Sequence, residues 1–419
     1  MFKRYKEFFS ILLFSFIYQY IHTDYLYKYF DYLGYMKKDV DTFSLIITYV
    51  MIILPIALIN KRKYLFIEVS FTIFYYLLYI PIMITFMFHY GDWYDRLINQ
   101  LPVFIGFMLI FTLSGLNFPK VTSSVKFPAP KLRVLYFFSF FIILYILFEF
   151  RDVYSIVSFD KVYDQRDVAK ESSVLSGYLI LWISYFIGPL IFIIGLIKSN
   201  KAQIIYGFFS VVFIYGVSAS KITLFIPLVI YLIYYLYKKH PGTSIVNALG
   251  LAFSGLCLLF MAISKSFFLL SAVILMRTFG IAGLLTYQYN EFFKIHDKTY
   301  FSHINIVNAI TGGYKYKNSL GIEVSEYFVG DGVTNANANF IATDGIASFG
   351  LPGVIFICII LGLYFAFTKS QISSSNGLLL GLLFIPFCFI ILNVGLFTSL
   401  LSGGFIFLNL YFIFFKSSK

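Results

Sequence analysis

Two arginines and one polar stretch stand out chemically from an otherwise apolar chain. Arg166 and Arg277 offer planar, always-charged donor forks of the kind that grip phosphate bidentately and keep their charge in apolar surroundings. Arg277 is flanked on both sides by apolar residues, in FFLLSAVILMRTFGIAGLLTYQY. The polar stretch, GDGVTNANANFIATDGIASFGLPG at residues 330–353, carries Asp331 and Asp344 together with three alternate asparagines, Asn335, Asn337 and Asn339. Glu326, His303 and Tyr287 precede it. Carboxylates and imidazole take up protons, and amides donate and accept at once.

Each of these residues also has a purely structural reading. Arg277 suits a snorkelling interfacial anchor, and Arg166 a solvated loop charge. Asp331 and Asp344 each adjoin glycine, as turn and helix-cap residues do. His303, in FSHIN, reads as a loop histidine. Three alternate asparagines on an extended segment face one side, where they either bind a polar ligand or satisfy nearby backbone. KDVDTF places Asp39 and Asp41 at a span end, expected to be solvated.

The elements that position these groups are membrane helices. Of 419 residues 60% are hydrophobic and 12% charged, against roughly 25% charged in soluble domains. Apolar runs fall at 8–22, 42–60, 64–88, 101–118, 134–150, 178–197, 202–217, 222–237, 243–263, 346–367, 376–393 and 404–415. Their lengths predict an all-α polytopic membrane protein of about twelve transmembrane helices. Residues 1–263 would hold nine of them with an external loop at 151–177, residues 264–345 a large external loop, and residues 346–419 the last three. The basic amino terminus lacks a small-residue cleavage site after its apolar run, which predicts an uncleaved first span.

Charge sets the expected orientation. With the amino terminus inside, the short cytoplasmic pieces hold 17 of the 32 Lys and Arg and one acid, Glu7. The opposite face holds the other 15 basic residues and 17 of the 20 acids. Such asymmetry follows the positive-inside rule and predicts two cytoplasmic termini and long outer loops. Residues 267–289 are long enough to span, but Arg277 at their middle argues for two helices lying in or dipping into the outer interface, with Arg277 near lipid headgroups.

Several function classes drop out. The formal charge of +12 is not gathered into a basic domain, so nucleic acid is not the expected partner. Cys257, Cys358 and Cys388 lie inside apolar runs, no metal-ligand spacing occurs, and neither a phosphate-cradling Walker loop nor a dinucleotide fingerprint is found. No cofactor is expected.

Two segments carry a family resemblance. ILMRTFGIAGLLTYQYNEFFKIHDKTYFSH, followed by a polar loop and NANFIATDGIASFGLPGVIFICIILGL, resembles the bacterial oligosaccharide repeat-unit polymerases, or O-antigen polymerases. The likeness includes the layout of spans and a large outer loop between late spans. Arg166 is followed after ten residues by Gly177, a spacing shared with those polymerases and with the related O-antigen ligases. The ligases carry a histidine where this chain has Asn339, which favours the polymerase branch.

The resemblance implies a GT-C-like fold in the bacterial cytoplasmic (inner) membrane. It also implies an undecaprenyl-diphosphate-linked oligosaccharide substrate, membrane lipids as surroundings and a chain-length regulator protein as partner. Arg277 and Arg166 would clamp the leaving diphosphate. Asp331, Asp344, Glu326 or His303 would act as base. Glu326, Asn335, Asn337, Asn339 and Tyr287 would bind the glycan, whose product would be O-antigen or capsule. An O-antigen ligase and a secondary transporter are the rival readings.

Overall fold

The computed structural model describes all residues except 1, 59–63, 122–131, 152–172, 219–220, 242, 331–334, 373–375 and 415–419. Arg166 and Asp331, and most of the loop at 151–177, lie outside the described residues. Among the described residues every regular element is helical. This is what chains of apolar residues adopt where no water is present to satisfy backbone groups. Six helices are long and apolar enough to cross a membrane: Leu65–His89, Trp93–Leu113, Leu175–Lys198, Ile245–Ile263, Phe268–Ile295 and Leu351–Gln371. Thr42–Ile56, Lys201–Val217 and Gly377–Ile391 are shorter apolar helices. The protein is an all-α, membrane-embedded chain.

Side-chain pairs give the direction of each helix. Trp93–Leu113 and Leu351–Gln371 run parallel: Gly106 meets Cys358, Gly362 meets Ile110, and Lys369 donates to the Gly115 carbonyl at 2.8 Å. Leu65–His89 and Gly377–Ile391 are also parallel, through Leu65 with Gly381, Phe66 with Phe384 and Ser70 with Cys388. One end of the bundle therefore carries Tyr35, Tyr90, Trp93 and Leu351, and the other carries Gly115 and Lys369. The first is called the Tyr90 end below.

The segment at 267–289 lies in one unbroken run of helical backbone, Phe268–Ile295, in which widened π-type turns at Val273–Gly280 join the Phe268–Ala272 helix to the Ile281–Ile295 helix. Its first turn packs Phe268 against Tyr29 and Phe30, while Phe279 reaches Phe14 and Phe253. Its last turns run alongside Ile80–His89, and Asn290 bonds Tyr90 and Asn99. Both ends of the run thus meet the Tyr90 end, with Phe279 deeper between them against Phe14, so the run dips into the bundle and returns. The next long helix, Leu351–Gln371, also begins there, so the described residues between them, 296–330 and 335–350, belong to that end as well.

Glycines in the polar stretch have two separate causes. Gly350 has φ 68° and ψ −151°, a conformation essentially restricted to glycine, and it turns the chain into the Leu351–Gln371 helix. Gly353 faces the Gly345 carbonyl so closely that a Cβ there would collide with backbone. A Gly353→Ala protein is expected to lose about 1–3 kcal/mol of stability, since backbone cannot rotate away. Gly377→Ala, in open space, should be neutral or stabilising. Thermal unfolding of both variants in detergent checks this, and equal midpoints would refute the close contact.

Candidate functional site

The two segments that carry the family resemblance fold against each other at the Tyr90 end. The Asn339 amide donates to Thr286 Oγ1 at 2.9 Å, and its Oδ1 accepts from the Ile341 and Ala342 amides at 3.1 and 3.2 Å. Tyr289 donates to the Ala336 carbonyl at 3.2 Å. Asn339 is thus a buried helix cap that also ties the polar stretch to Phe268–Ile295. The expectation of three amides on one side is corrected accordingly. Asn335 and Asn337 are exposed and lie over Gly321, while the intervening Ala336 and Ala338 are buried. Asn339 leaves this alternation because its side chain is needed at the helix start.

Asp344 and His303 come together 41 residues apart in sequence. Asp344 stands in the widened turn Ile341–Ile346 and is 1% exposed. Its carboxylate accepts from His303 Nε2 at 3.1 Å, from the Phe397 amide at 3.3 Å and from the Leu396 amide. A carboxylate so deep needs such donors, because an unmet charge in an apolar interior is costly. His303, with 11% of its side chain exposed, turns Nδ1 toward Thr299 Oγ1 at 2.9 Å.

Thr299 gives this array a proton switch. Its hydroxyl reaches the Ala347 carbonyl at 3.1 Å as well as His303 Nδ1. With its single proton turned to Ala347, Oγ1 accepts from a protonated Nδ1; with the proton turned to Nδ1, that nitrogen accepts and Nε2–H faces Asp344. Heavy atoms need not move between the two states, which suits a group that accepts and releases a proton.

The backbone between Thr299 and His303 is strained. Tyr300 and Phe301 have φ 48° and 65°, left-handed values that cost bulky residues roughly 1–2 kcal/mol each. Phe301 offsets this by packing on Phe349, Phe356 and Phe397 at centroid distances of 5.3, 6.1 and 5.4 Å. Strain of this kind gathers where geometry matters more than local stability. Lys298 lies beside Gly350 at the start of the same loop, and partial burial lowers its ammonium pKa from the usual value.

The other expected site residues are distributed around this centre. Arg277 is exposed and sits in the widened turns of Phe268–Ile295, close enough to Tyr35 for its charge to be felt there. Thr286, which holds Asn339, is nine residues further along, or about 14 Å of helical rise. Tyr287 is buried, its ring against His89 and Tyr90 at 4.4 and 5.5 Å, so it shapes the site rather than offering a free face. Glu326 is exposed on the Leu320–Val329 helix. Among the described residues no group of three or more His, Cys, Asp or Glu is placed to hold a metal ion.

Arg96 escaped the sequence analysis. It is 2% exposed and binds Asp41 at 2.8 Å, the Met87 carbonyl at 2.9 Å and the Asp39 carbonyl. Asp41 is therefore more than a solvated span end, whereas Asp39 is exposed as expected and meets Arg96 only through its backbone carbonyl. The available signal was RLINQ, which sets Arg96, Asn99 and Gln100 on one face of an apolar helix. No protein-family model, curated protein or solved structure matches the chain. The functional reading therefore rests on the residues and their geometry.

Proposed function

We propose that this protein is a membrane polysaccharide polymerase that joins undecaprenyl-diphosphate-linked oligosaccharide repeat units into O-antigen or capsule. It would do so on the outer face of the bacterial inner membrane. The observation that carries the proposal is the His303–Asp344 pair, which joins the loop of one resembling segment to the widened turn of the other. In this reading the Tyr90 end is the outer end, the termini are cytoplasmic, and the fold is a twelve-span GT-C-like one. A chain-length regulator would be its protein partner.

The reaction asks for little chemistry and much positioning. An acceptor sugar hydroxyl attacks the anomeric carbon of the donor glycan, a new C–O bond forms, and the bond to the lipid diphosphate breaks. The diphosphate departs with the electron pair, and the hydroxyl proton passes to Thr299 Oγ1 as Thr299 hands its own proton to His303 Nδ1. Asp344 stabilises the imidazolium that results. Arg277 meets the diphosphate at the membrane surface, and the exposed Asn335 and Asn337 amides hold sugar hydroxyls.

Reconstitution with lipid-diphosphate-linked repeat units, without metal or nucleotide, tests the assignment. Ladders of lengthening glycan support it. Transfer only to a lipid-A core would instead show a ligase, and solute flux without glycan growth a transporter. Arg277→Lys should slow chain growth at least about tenfold, because a point charge cannot grip diphosphate bidentately. Unchanged rates in a normally expressed variant would remove Arg277 from the site.

A further inference from the structure

Two buried histidines bracket the backbone of one residue, Met36. The Met36 carbonyl is 3.0 Å from His22 Nε2, and the Met36 amide donates to His89 Nε2 at 3.1 Å. A carbonyl has no proton to give, so His22 Nε2 bears hydrogen and Nδ1 is the lone pair of the neutral ring. An amide needs an acceptor, so His89 Nε2 is the lone pair and Nδ1 bears hydrogen. One residue thus fixes opposite tautomers through its amide on one side and its carbonyl on the other.

Both Nδ1 atoms, and the Tyr35 hydroxyl, are buried with no hydrogen-bond partner among the described residues. His22 and His89 are 0% exposed and Tyr35 2%. The three rings are mutual neighbours, with centroid distances of 5.5 Å for His22 and His89, 5.8 Å for His22 and Tyr35, and 6.4 Å for Tyr35 and His89. Gly280 faces the Tyr35 hydroxyl, and its missing side chain leaves that hydroxyl room.

We propose that His22, Tyr35 and His89 bind an internal water molecule. The two nitrogens decide the class of ligand. A cation needs lone pairs on both, but His89 presents N–H; an anion needs donors on both, but His22 presents a lone pair. A group that donates and accepts together fits, and water is the smallest such group and the usual partner of buried orphan polar atoms. The water donates to His22 Nδ1, accepts from His89 Nδ1–H and makes its third bond to Tyr35.

This water bridges but does not conduct. A proton reaching His22 Nδ1 has no exit, because Nε2–H faces a carbonyl, and His89 cannot be refilled from a peptide N–H. Paired histidines inside a membrane protein ordinarily suggest a proton relay. Here they fasten the loop at Met36 to the Leu65–His89 helix, beneath the turns that carry Arg277.

Nitrogen-15 NMR of histidine-labelled full-length protein in lipid nanodiscs tests the proposal, and only five histidines need assignment. Opposite neutral tautomers at His22 and His89 near neutral pH, with magnetisation transfer from water to His89 Nδ1–H, are expected. Matching tautomers, an imidazolium at either ring, or no transfer from water would overturn it. Tyr35→Phe, which keeps the ring, should lower the water contact about tenfold, the loss of one hydrogen bond. An undiminished contact in that variant would also overturn the three-partner site.

Discussion

His303→Gln is expected to slow glycan chain growth at least about 100-fold while leaving the protein folded. Glutamine keeps a donor for Asp344 but cannot take a proton at the position of Nδ1. Asp344→Ala should do more, since it leaves the His303 ring and the Leu396 and Phe397 amides without their acceptor. Removing one partner of a buried charged pair costs about 3–5 kcal/mol, so this variant should lose stability as well as activity. Thr299→Val separates the two effects: it deletes the hydroxyl that trades a proton with Nδ1 and keeps the shape of the side chain. The expected signature is a pH–rate profile displaced from wild type at nearly unchanged thermal stability. A folded His303→Gln protein that builds full ladders at the wild-type rate would show that the pair only pins the loop.

How far the sequence reached depended on the length scale of the signal. Helix positions were legible because apolar run length acts locally: the run at 64–88 became Leu65–His89, and that at 243–263 became Ile245–Ile263. The meeting of His303 with Asp344 was not legible as a pair. Nothing near either residue encodes it, and it depends on the loop folding back onto the start of the Leu351–Gln371 helix. Both residues could be proposed singly, from their types and from the topology, but not joined.

One reading held in outline and one did not. Arg277 in mid-segment argued for two helices dipping in at 267–289, and the structure joins Phe268–Ala272 to Ile281–Ile295 through widened turns at Val273–Gly280 that carry the arginine at an exposed position. Asn339 looked like the third member of an alternating row, yet the amides of Ile341 and Ala342 need an acceptor where the helix begins. There the backbone's own hydrogen-bonding needs overrode a pattern read from side chains alone. Widened turns also hold Asp344, so two of the proposed site residues occupy the same kind of irregular helix.

Arg96→Met should be the most damaging single change outside the proposed chemistry, costing about 3–5 kcal/mol. Arg96 Nε serves the Met87 carbonyl, Nη1 serves Asp41 and Ser44, and Nη2 serves the Asp39 carbonyl. Methionine fills much of the volume and satisfies none of these acceptors. Arg96→Lys should recover little, because a single ammonium cannot span acceptors on two chain segments. Asp41→Asn should cost far less, since its side chain is 47% exposed and water replaces part of the pairing. The Asp41 carboxyl is held below its ordinary value by the Ser44 hydroxyl and amide first and by Arg96 as a lesser cause. With its folded value depressed, its contribution is full above the ordinary carboxylate value and is lost as pH falls through the lowered one. Thermal unfolding of the four proteins between pH 3 and pH 7, roughly the carboxylate range and above, should therefore show Asp41→Asn and wild type converging in acid. Arg96→Met should stay low throughout, because its loss lies in buried carbonyls that do not titrate. Beyond Arg96 the same helix places Asn99 on Asn290 at 2.7 Å, and Asn290 on Tyr90 at 2.7 Å. Loosening Arg96 should thus disturb the helix that holds Asn339 and slow chain growth indirectly. An Arg96→Met protein within about 1 kcal/mol of wild type would break that chain of argument at its first link.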